Sequence, residues 1–346
     1  MRVLVTGHDG YIGTVLTPLL TECGHEVVGL DTRLYADGTF GPQPAPVPAL
    51  DRDLRDVTAT DLEGIDAVVH LAAISNDPVG DLDPHITYDI NHRATVQLAR
   101  ASRYAGASRF LFSSSCSLYG AAEGDDALAE DATFNPVTPY GHSKVLAEQD
   151  LSELADADFS PVYLRNATAY GASPRLRTDI VVNDLTAHAL LDGEVLIKSD
   201  GTPWRPLVHA EDIARAFVAL LDAPRDTIHD EPFNVGLTSE NYQIREIADM
   251  VADAVPDSRI KYAADAGPDT RSYRVDFSKV AERVPEFRPA WTVPKGVRQL
   301  VDAYIREGLS VDDFGRGRYT RIATIKRRQA DGTLGTDLRP TDGRAA

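Results

Sequence analysis

Tyr140 and Lys144 stand four residues apart in Pro139-Tyr140-Gly141-His142-Ser143-Lys144, so on a helix they share one face. A phenol passes a proton to and from a hydroxyl group only if its phenolate is accessible near neutral pH, and its ordinary pKa is about 10. A lysine ammonium fixed beside it stabilises the phenolate. Upstream, the apolar run Arg109 to Phe112 leads into Ser113-Ser114-Ser115-Cys116-Ser117-Leu118-Tyr119-Gly120. Ser115 is placed to hydrogen-bond the same oxygen that Tyr140 serves. A Tyr-x-x-x-Lys spacing is common by itself and gains meaning from its context.

That context begins at the first residues, MRVLVTGHDGYIGTVLTPLL. Val3, Leu4 and Val5 form the short apolar run of a buried parallel strand, and Gly7, Gly10 and Gly13 follow at once. Ile12, Val15, Leu16, Leu19 and Leu20 then recur three and four apart, which predicts a helix with one buried face. Gly7 allows a tight turn, Gly10 lets backbone approach a pyrophosphate, and Gly13 lets the helix pack on the strand. The helix N-terminus supplies free N–H groups and the positive end of a dipole. The next apolar run, His25 to Leu30, ends in Asp31, roughly 20 residues beyond the glycines, where a carboxylate meets adenosine ribose hydroxyls. An acidic group there repels a 2′-phosphate and favours NAD over NADP. Arg33 lies near enough to greet such a phosphate and opposes that preference. A positively charged nicotinamide beside Tyr140 would lower the phenol further.

The remaining elements alternate strand and helix, the pattern of an α/β chain with a doubly wound parallel sheet. A Pro- and Gly-rich loop, Asp37 to Pro48, precedes Asp51 to Asp56, where Asp53-Leu54 would offer adenine a carboxylate and an apolar wall. Ala67 to Leu71 reads as a buried strand ending in the small residues Ala72 and Ala73, which let a cofactor pass the sheet's carboxyl edge. Helical patterning follows over Ile90 to Ala105, with Asn91 in its first turns in either a structural or a functional role, and again over Val145 to Leu154.

With 346 residues, 43% hydrophobic and 25% charged, the chain is globular material for one large domain or two moderate ones. A formal charge of −18 argues against a nucleic-acid partner. Its apolar runs fall far short of the roughly 20 residues that span a bilayer, and a strand starting at residue 2 leaves no room for a signal peptide, so no membrane association is expected. Cys23 and Cys116 form no metal-ligand or disulfide pattern, and the expected location is the cytoplasm.

Taken together, these residues resemble the extended short-chain dehydrogenase/reductases, specifically the NAD-dependent epimerase/dehydratase group that acts on nucleotide sugars. The resemblance runs through Gly7, Gly10, Gly13, Asp31, Asp53-Leu54, His70-Leu71-Ala72-Ala73, Asn91, Ser115, Tyr140 with Lys144, and Leu164-Arg165 to Tyr170-Gly171. It continues through Asn183, Arg205 in GTPWRPLVH, His209-Ala210-Glu211-Asp212 and Phe233-Asn234-Val235-Gly236. It implies a Rossmann domain over residues 1–172, to which 207–236 return, a smaller C-terminal substrate-binding region of 173–206 and 237–308, and a tail of 309–346. It also implies a homodimer, NAD as cofactor and a nucleotide-sugar substrate. The cofactor would be held by Gly7, Gly10, Tyr11, Ile12, Gly13, Asp31, Asp53, Leu54, Leu71, Ala72, Ala73, Asn91, Tyr140 and Lys144. The substrate would meet Ser75, Ser115, Thr168, Asn183, Arg205 and Arg271, with Asn183 and Arg205 on the diphosphate. Arg316, Arg318, Arg321, Lys326, Arg327 and Arg328 make the tail basic, which predicts a solvated or subunit-contacting segment.

Within this family, 4,6-dehydratases carry Thr-Asp-Glu where this chain has Ser115-Cys116-Ser117, so the acid and base for eliminating water are missing. The Glu usual in decarboxylases at the Ser117 position is missing as well. C4 epimerisation through a transient 4-keto intermediate remains, with reduction of a nucleotide 4-keto-sugar as the alternative. Asp31 favours the first, since a recycled NAD suits an epimerase and reductases more often draw NADPH. A non-catalytic nucleotide-binding regulator would have lost Tyr140 or Lys144, and both are present. Arg165 to Gly171 and Asp269-Thr270-Arg271-Ser272-Tyr273 depart from the usual runs and leave the sugar and the base unnamed.

Overall fold

The computed structural model describes residues 1–75, 77–121, 126–267 and 271–341, so Asp269 and Thr270 lie outside the described residues. Twelve strands follow in chain order: β1 (Arg2–Thr6), β2 (Glu26–Asp31), β3 (Ala49–Asp51), β4 (Ala67–His70), β5 (Arg109–Ser115), β6 (Ser160–Asn166), β7 (Thr168–Tyr170), β8 (Glu194–Ser199), β9 (Trp204–His209), β10 (Glu231–Val235), β11 (Asn241–Gln243) and β12 (Arg259–Gly267). Seven of them pair in parallel in the order β10-β6-β5-β4-β1-β2-β3. Val3, Val5, Val69, Leu111, Val162 and Leu164 face one apolar layer, and Leu4, Val68, Phe110, Phe112 and Tyr163 face the other. Both sheet faces are therefore covered, as a parallel sheet requires.

The strand order reverses beside β1: β2 lies on one side of it and β4 on the other, with Thr6 opposite both Leu30 and His70. A crevice opens at such a reversal, outside the carboxyl ends of the strands. The first glycine turn, the end of β2 and the Leu71-Ala72-Ala73 stretch all meet there. β5 runs longer than the apolar pattern suggests and carries the hydroxyls through Ser115. The helix bearing Tyr140 and Lys144 starts earlier than its apolar pattern, over Pro139–Ser152, because Thr138 caps it by accepting from the Gly141 N–H at 3.2 Å and Pro139 suits the first turn. Between the Pro84–Tyr88 and Thr95–Tyr104 helices the chain forms a wider π-type turn, Asp89–Ala94, which contains Asn91.

A second apolar core gathers Tyr170, Leu176, Val182, Ile197, Leu207, Ile247 and Val297, beside a three-stranded sheet β11-β9-β7 and the parallel pair β12-β8. The Ala210–Asp222 helix, amphipathic through Ile213, Phe217 and Leu220, packs against Gly13–Glu22 in the first core. Asp212 at its start accepts from the Ala290 and Trp291 N–H groups at 3.0 and 2.9 Å, which ties the 288–292 turn to the sheet domain's helix. No helix among the described residues is long and apolar enough to cross a membrane.

The basic tail departs from its expectation. Arg321–Ala330 forms a helix in which Ile325 is fully buried and Arg321 only 7% exposed, and Leu334 is buried beyond it. Ile325, Leu334, Ile322 and Leu338 pack on Ile74, Val79, Leu34 and Tyr35. Arg316, Arg318 and Arg327 pair with Asp312, Asp313 and Asp37 of the same chain. Apolar residues three and four apart in the tail, together with the Arg327–Asp37 pair, fold the segment back on its own chain.

His70 joins the layers. Its Nδ1 lies 2.6 Å from the Thr6 hydroxyl and its Nε2 2.8 Å from that of Thr95, and burial pushes its pKa down to about 3 from 6.5. Between those two values the unfolded chain binds a proton that the folded chain refuses, so acidification through this window destabilises the fold. Stability measured by urea unfolding should fall from pH 6.5 towards 4 more steeply in the native chain than in His70→Gln, by up to about 1.4 kcal/mol per pH unit. Identical slopes would exclude His70 as the titrating group.

Candidate active site

Gly7 has a φ of +71°, and a Cβ there would lie 2.8 Å from the Ala72 nitrogen. A Cβ on Gly13 would lie 2.2 Å from the Gly7 carbonyl oxygen. No side chain fits either place, and the first helix therefore starts hard against β1 and β4. Asp31, at the end of β2, accepts from the Asp9 N–H at 3.1 Å and the Arg33 N–H at 2.8 Å. Desolvation raises its pKa, with His8 and these two bonds opposing. The Arg33 guanidinium pairs with Asp51 at 2.6 Å in an exposed ion pair beside Asp31. A turn too tight for a Cβ, a helix N-terminus and a carboxylate at the next strand end suit a dinucleotide with free ribose hydroxyls.

Several residues expected to touch the cofactor also make bonds that hold the loops. Asn91 brackets Ile74, accepting from its N–H at 2.8 Å and donating to its carbonyl at 2.9 Å, and also donates to the Ser143 hydroxyl at 3.2 Å. Tyr11 is buried and donates to the Gly171 carbonyl at 2.6 Å. Asp53, the residue expected at adenine, is gripped by its own neighbour. Burial would raise its pKa, but a fork of bonds from Arg55, at 2.6 and 2.9 Å, outweighs burial and lowers it. Leu54 packs into the sheet core, and the Ala72 N–H donates to the Thr6 hydroxyl at 3.2 Å.

A cavity of about 1060 Å³ opens at the crevice, and Ser115, Tyr140 and Lys144 line it together with Ile12, Leu71 and Ala73. Ser75, Thr168, Arg205 and Arg271 line it too. The Lys144 ammonium donates to the Ser113 carbonyl at 2.7 Å and lies 4.5 Å from the Phe112 ring centre and 5.7 Å from that of Tyr140. Burial pushes Lys144 down to about 7, with Glu148 opposing. Burial likewise pushes Tyr140 up to about 12, while the Ser115 hydroxyl pulls it back. Both groups thus lean towards their neutral forms, and added positive charge in the cavity shifts the phenol towards phenolate.

Asn183 stands apart. It is fully buried, its amide accepting from the Gly171 N–H at 2.9 Å and donating to the Arg177 carbonyl at 2.8 Å, so it fixes the loop after β7 and does not face the cavity. Arg205 donates to the carbonyls of Trp204, at 2.9 Å, and Arg271, while Arg271 pairs with Asp77. The loop that Asn183 holds carries charges that the motif reading passed over. Arg175 pairs with Asp9 at 2.6 Å and Arg177 with Asp179 at 2.9 Å, and the second pair lines the cavity. The available signal was the run Arg-Leu-Arg-Thr-Asp, Arg175 to Asp179, a few residues after Tyr170-Gly171. Beneath Lys144, Glu148 forms a buried ion pair with Arg165 at 2.7 Å and accepts from Ser114 at 2.5 Å. Cys116 donates its thiol to the Arg165 carbonyl at 3.1 Å, and burial raises its pKa, so no acidic group stands between Ser115 and Ser117.

A parallel sheet with a glycine turn at its reversal and a Tyr-x-x-x-Lys pair at the same edge defines the extended short-chain dehydrogenase/reductase architecture. Residues 3–236 match the model of the NAD dependent epimerase/dehydratase family, and the chain belongs to that family. A UDP-glucose 4-epimerase of Mycolicibacterium smegmatis is 31% identical over 317 residues, covering 88% of this chain and 98% of that protein. One from Azospirillum brasilense is 33% identical over 239 residues, covering 64% and 68%. Among solved structures, MoeE5 in complex with UDP-glucose and NAD is similar with a TM-score of 0.76 and 30% identity, over 90% of this chain and 100% of that one. UDP-glucuronic acid 4-epimerase from Bacillus cereus, in complex with UDP-glucuronic acid and NAD, has a TM-score of 0.73 and 26% identity, over 88% and 99%.

The geometry around Asp31 gives a cofactor test. Titrated by fluorescence, the protein should bind NADH more tightly than NADPH, and Asp31→Ser should narrow the difference by roughly tenfold, since it removes a carboxylate from the site of the 2′-phosphate. Tighter NADPH binding by the native protein would reverse the assignment.

Proposed function

We propose that the protein interconverts two C4 epimers of a nucleotide-linked sugar, with NAD as a recycled cofactor. The observation that carries this reading is the meeting of Ser115, Tyr140 and Lys144 in one cavity at the glycine turn, with no carboxylate in Ser115-Cys116-Ser117 to drive elimination. The similar UDP-sugar 4-epimerases support it.

In this reading Tyr140, as phenolate, takes the proton of the C4 hydroxyl and later returns it to the same oxygen. Lys144 favours the phenolate, and Ser115 hydrogen-bonds that oxygen. NAD held at the glycine turn would supply the hydride acceptor and then the donor at C4. Between the two transfers the 4-keto sugar presents its other face, for which the cavity of about 1060 Å³ leaves room. Arg205 and Arg271 hold the diphosphate, and Ser75 and Thr168 meet the sugar. Gly7, Gly10, Ile12, Gly13, Asp31, Leu71 and Ala73 flank the dinucleotide, and Asn91, Tyr11 and Asn183 support it through the loops they fix. We assign 1–172 with 207–236 to the cofactor unit and 173–206 with 237–308 to the substrate unit. A homodimer working in the cytoplasm, in carbohydrate biosynthesis, belongs to the same proposal. The exposed apolar residues Leu82, Val137 and Leu146, on or near the Pro139–Ser152 helix, support a subunit contact, and two free cysteines support a reducing compartment.

The decisive assay incubates the protein with UDP-, dTDP-, GDP- and CDP-sugars and follows both product and NADH absorbance. Epimer formation without net NADH is expected. Stoichiometric NADH loss with a 4-keto sugar, and no epimer from any saturated one, would assign a reductase. Tyr140→Phe should lower turnover by roughly 10²-fold or more with NAD binding intact. Near-normal turnover in that variant would remove Tyr140 from the mechanism. Arg205→Lys should mainly raise KM, because an ammonium cannot reproduce a guanidinium fork on phosphate.

A further inference from the structure

The segment beyond Gly308 lies outside the residues 3–236 of the family match, and the function above does not use it. Yet it packs along the sheet's carboxyl edge, from the loop after β7, past Leu34 beyond Asp31, to the Asp53 turn. Its near end is tied to the loop after β7: the Thr178 N–H donates to the Tyr319 carbonyl at 3.1 Å, and the Tyr319 ring meets Phe40 edge-on at 5.4 Å. Thr320 and Ile322 then line the central cavity. Further along, Arg328 donates to the Leu34 carbonyl at 3.0 Å, just beyond Asp31, while Ile325 and Leu334 cover Ile74 and Val79. The far end rests on the Asp53 turn, where Arg339 grips Asp56 and Arg55 donates to the Asp337 carbonyl at 2.9 Å.

Arg321 sits at the middle of this strap. Its guanidinium stacks 4.0 Å from the Tyr35 ring centre and donates to the Arg175 carbonyl at 3.3 Å. The neighbouring cations are matched, Arg175 by Asp9 and Arg177 by Asp179. Asp179 accepts from the Arg321 backbone N–H at 3.3 Å, but among the described residues no carboxylate forms an ion pair with the Arg321 guanidinium, and the residue is 7% exposed. Burial pushes its pKa down to about 10, with Asp179 and Asp31 opposing. Tyr11, in the glycine turn, lies within electrostatic range of both Arg177 and Arg321. A buried cation so placed is stabilised by an added anion.

We propose that the C-terminal strap is the outer wall of the dinucleotide site: Arg321, with Arg177, faces the cofactor's diphosphate, and the strap lifts at its Arg339 end to let the cofactor pass. The inference rests on the reading of the glycine turn as an NAD site. The Arg339 end is the weaker one, since its ion pair is partly exposed, with side chains 32% and 39% accessible, and exposed pairs hold loosely and weaken with salt. The Tyr319 end is buried in the second core and acts as the hinge.

The test loads the full-length protein with NADH and follows its displacement by excess NAD in a stopped-flow fluorimeter. Arg339→Glu should release NADH about tenfold faster or more, and raised salt should speed release from the native protein. Arg321→Gln should weaken ADP binding about tenfold while changing adenosine binding less than about twofold, and Arg321→Lys should recover part of the loss. Melting curves of each variant check folding, and if Arg321→Gln unfolds, Arg339→Glu decides. Unchanged NADH release in Arg339→Glu overturns the strap, and equal losses for ADP and adenosine overturn the role of Arg321. A native protein that binds neither NADH nor ADP overturns the NAD reading itself, a result distinct from either of these.

Discussion

The contact of Gly7 and Gly13 with each other and with Ala72 is the constraint on which the site depends. With no room for a Cβ at either glycine, the first helix can start against the carboxyl ends of β1 and β4 and nowhere else. That closeness brings the helix N-terminus, Asp31 on β2 and the Leu71-Ala73 stretch to one crevice, at the point where the strand order reverses. The extension of β5 through Ser115 then delivers a hydroxyl to the same edge, and the Thr138 cap starts the next helix so that Tyr140 falls in its first turn.

Electrostatics beneath the site follow from this packing. A buried lysine loses hydration, and Lys144 compensates only in part, through the Ser113 carbonyl and the faces of Phe112 and Tyr140. Glu148, one turn further along the helix, opposes that loss but is itself shared with Arg165 and Ser114. The result is a lysine close to its charge balance near neutral pH and a tyrosine held neutral, whose phenolate added positive charge in the cavity would favour. A pair already locked as phenolate and ammonium would gain less from a bound cation.

How much of this was legible in the sequence depends on how local each signal is. The glycine turn, Asp31 and the Tyr140–Lys144 spacing are set within a few residues, and the structure brings these groups to one sheet edge. Asn91 and Asn183 were found as residues, but their orientation is not local: whether an amide faces a ligand or a loop depends on partners such as Ile74 and Gly171, which only the folded chain supplies. The Arg175-to-Asp179 loop offered a charge pattern without a period, and nothing nearby in sequence showed that Arg175 meets Asp9, 166 residues away.

The tail shows the same limit for charge. Read along the chain, a basic cluster late in a sequence of net charge −18 looks like a solvated or subunit-contacting segment. In the fold, Asp37 and Asp56 take Arg327 and Arg339, Asp312 and Asp313 take Arg316 and Arg318 within the tail itself, and Ile322, Ile325, Leu334 and Leu338 supply the apolar stripe that the charges obscure. Arg328 meets Leu34 across 294 residues of sequence, so no window of the chain contains both partners. Charge attraction alone would leave the segment loosely held and sensitive to salt; the buried Ile325 and Leu334 fix where it lies, and that place is the edge of the sheet where the glycine turn opens.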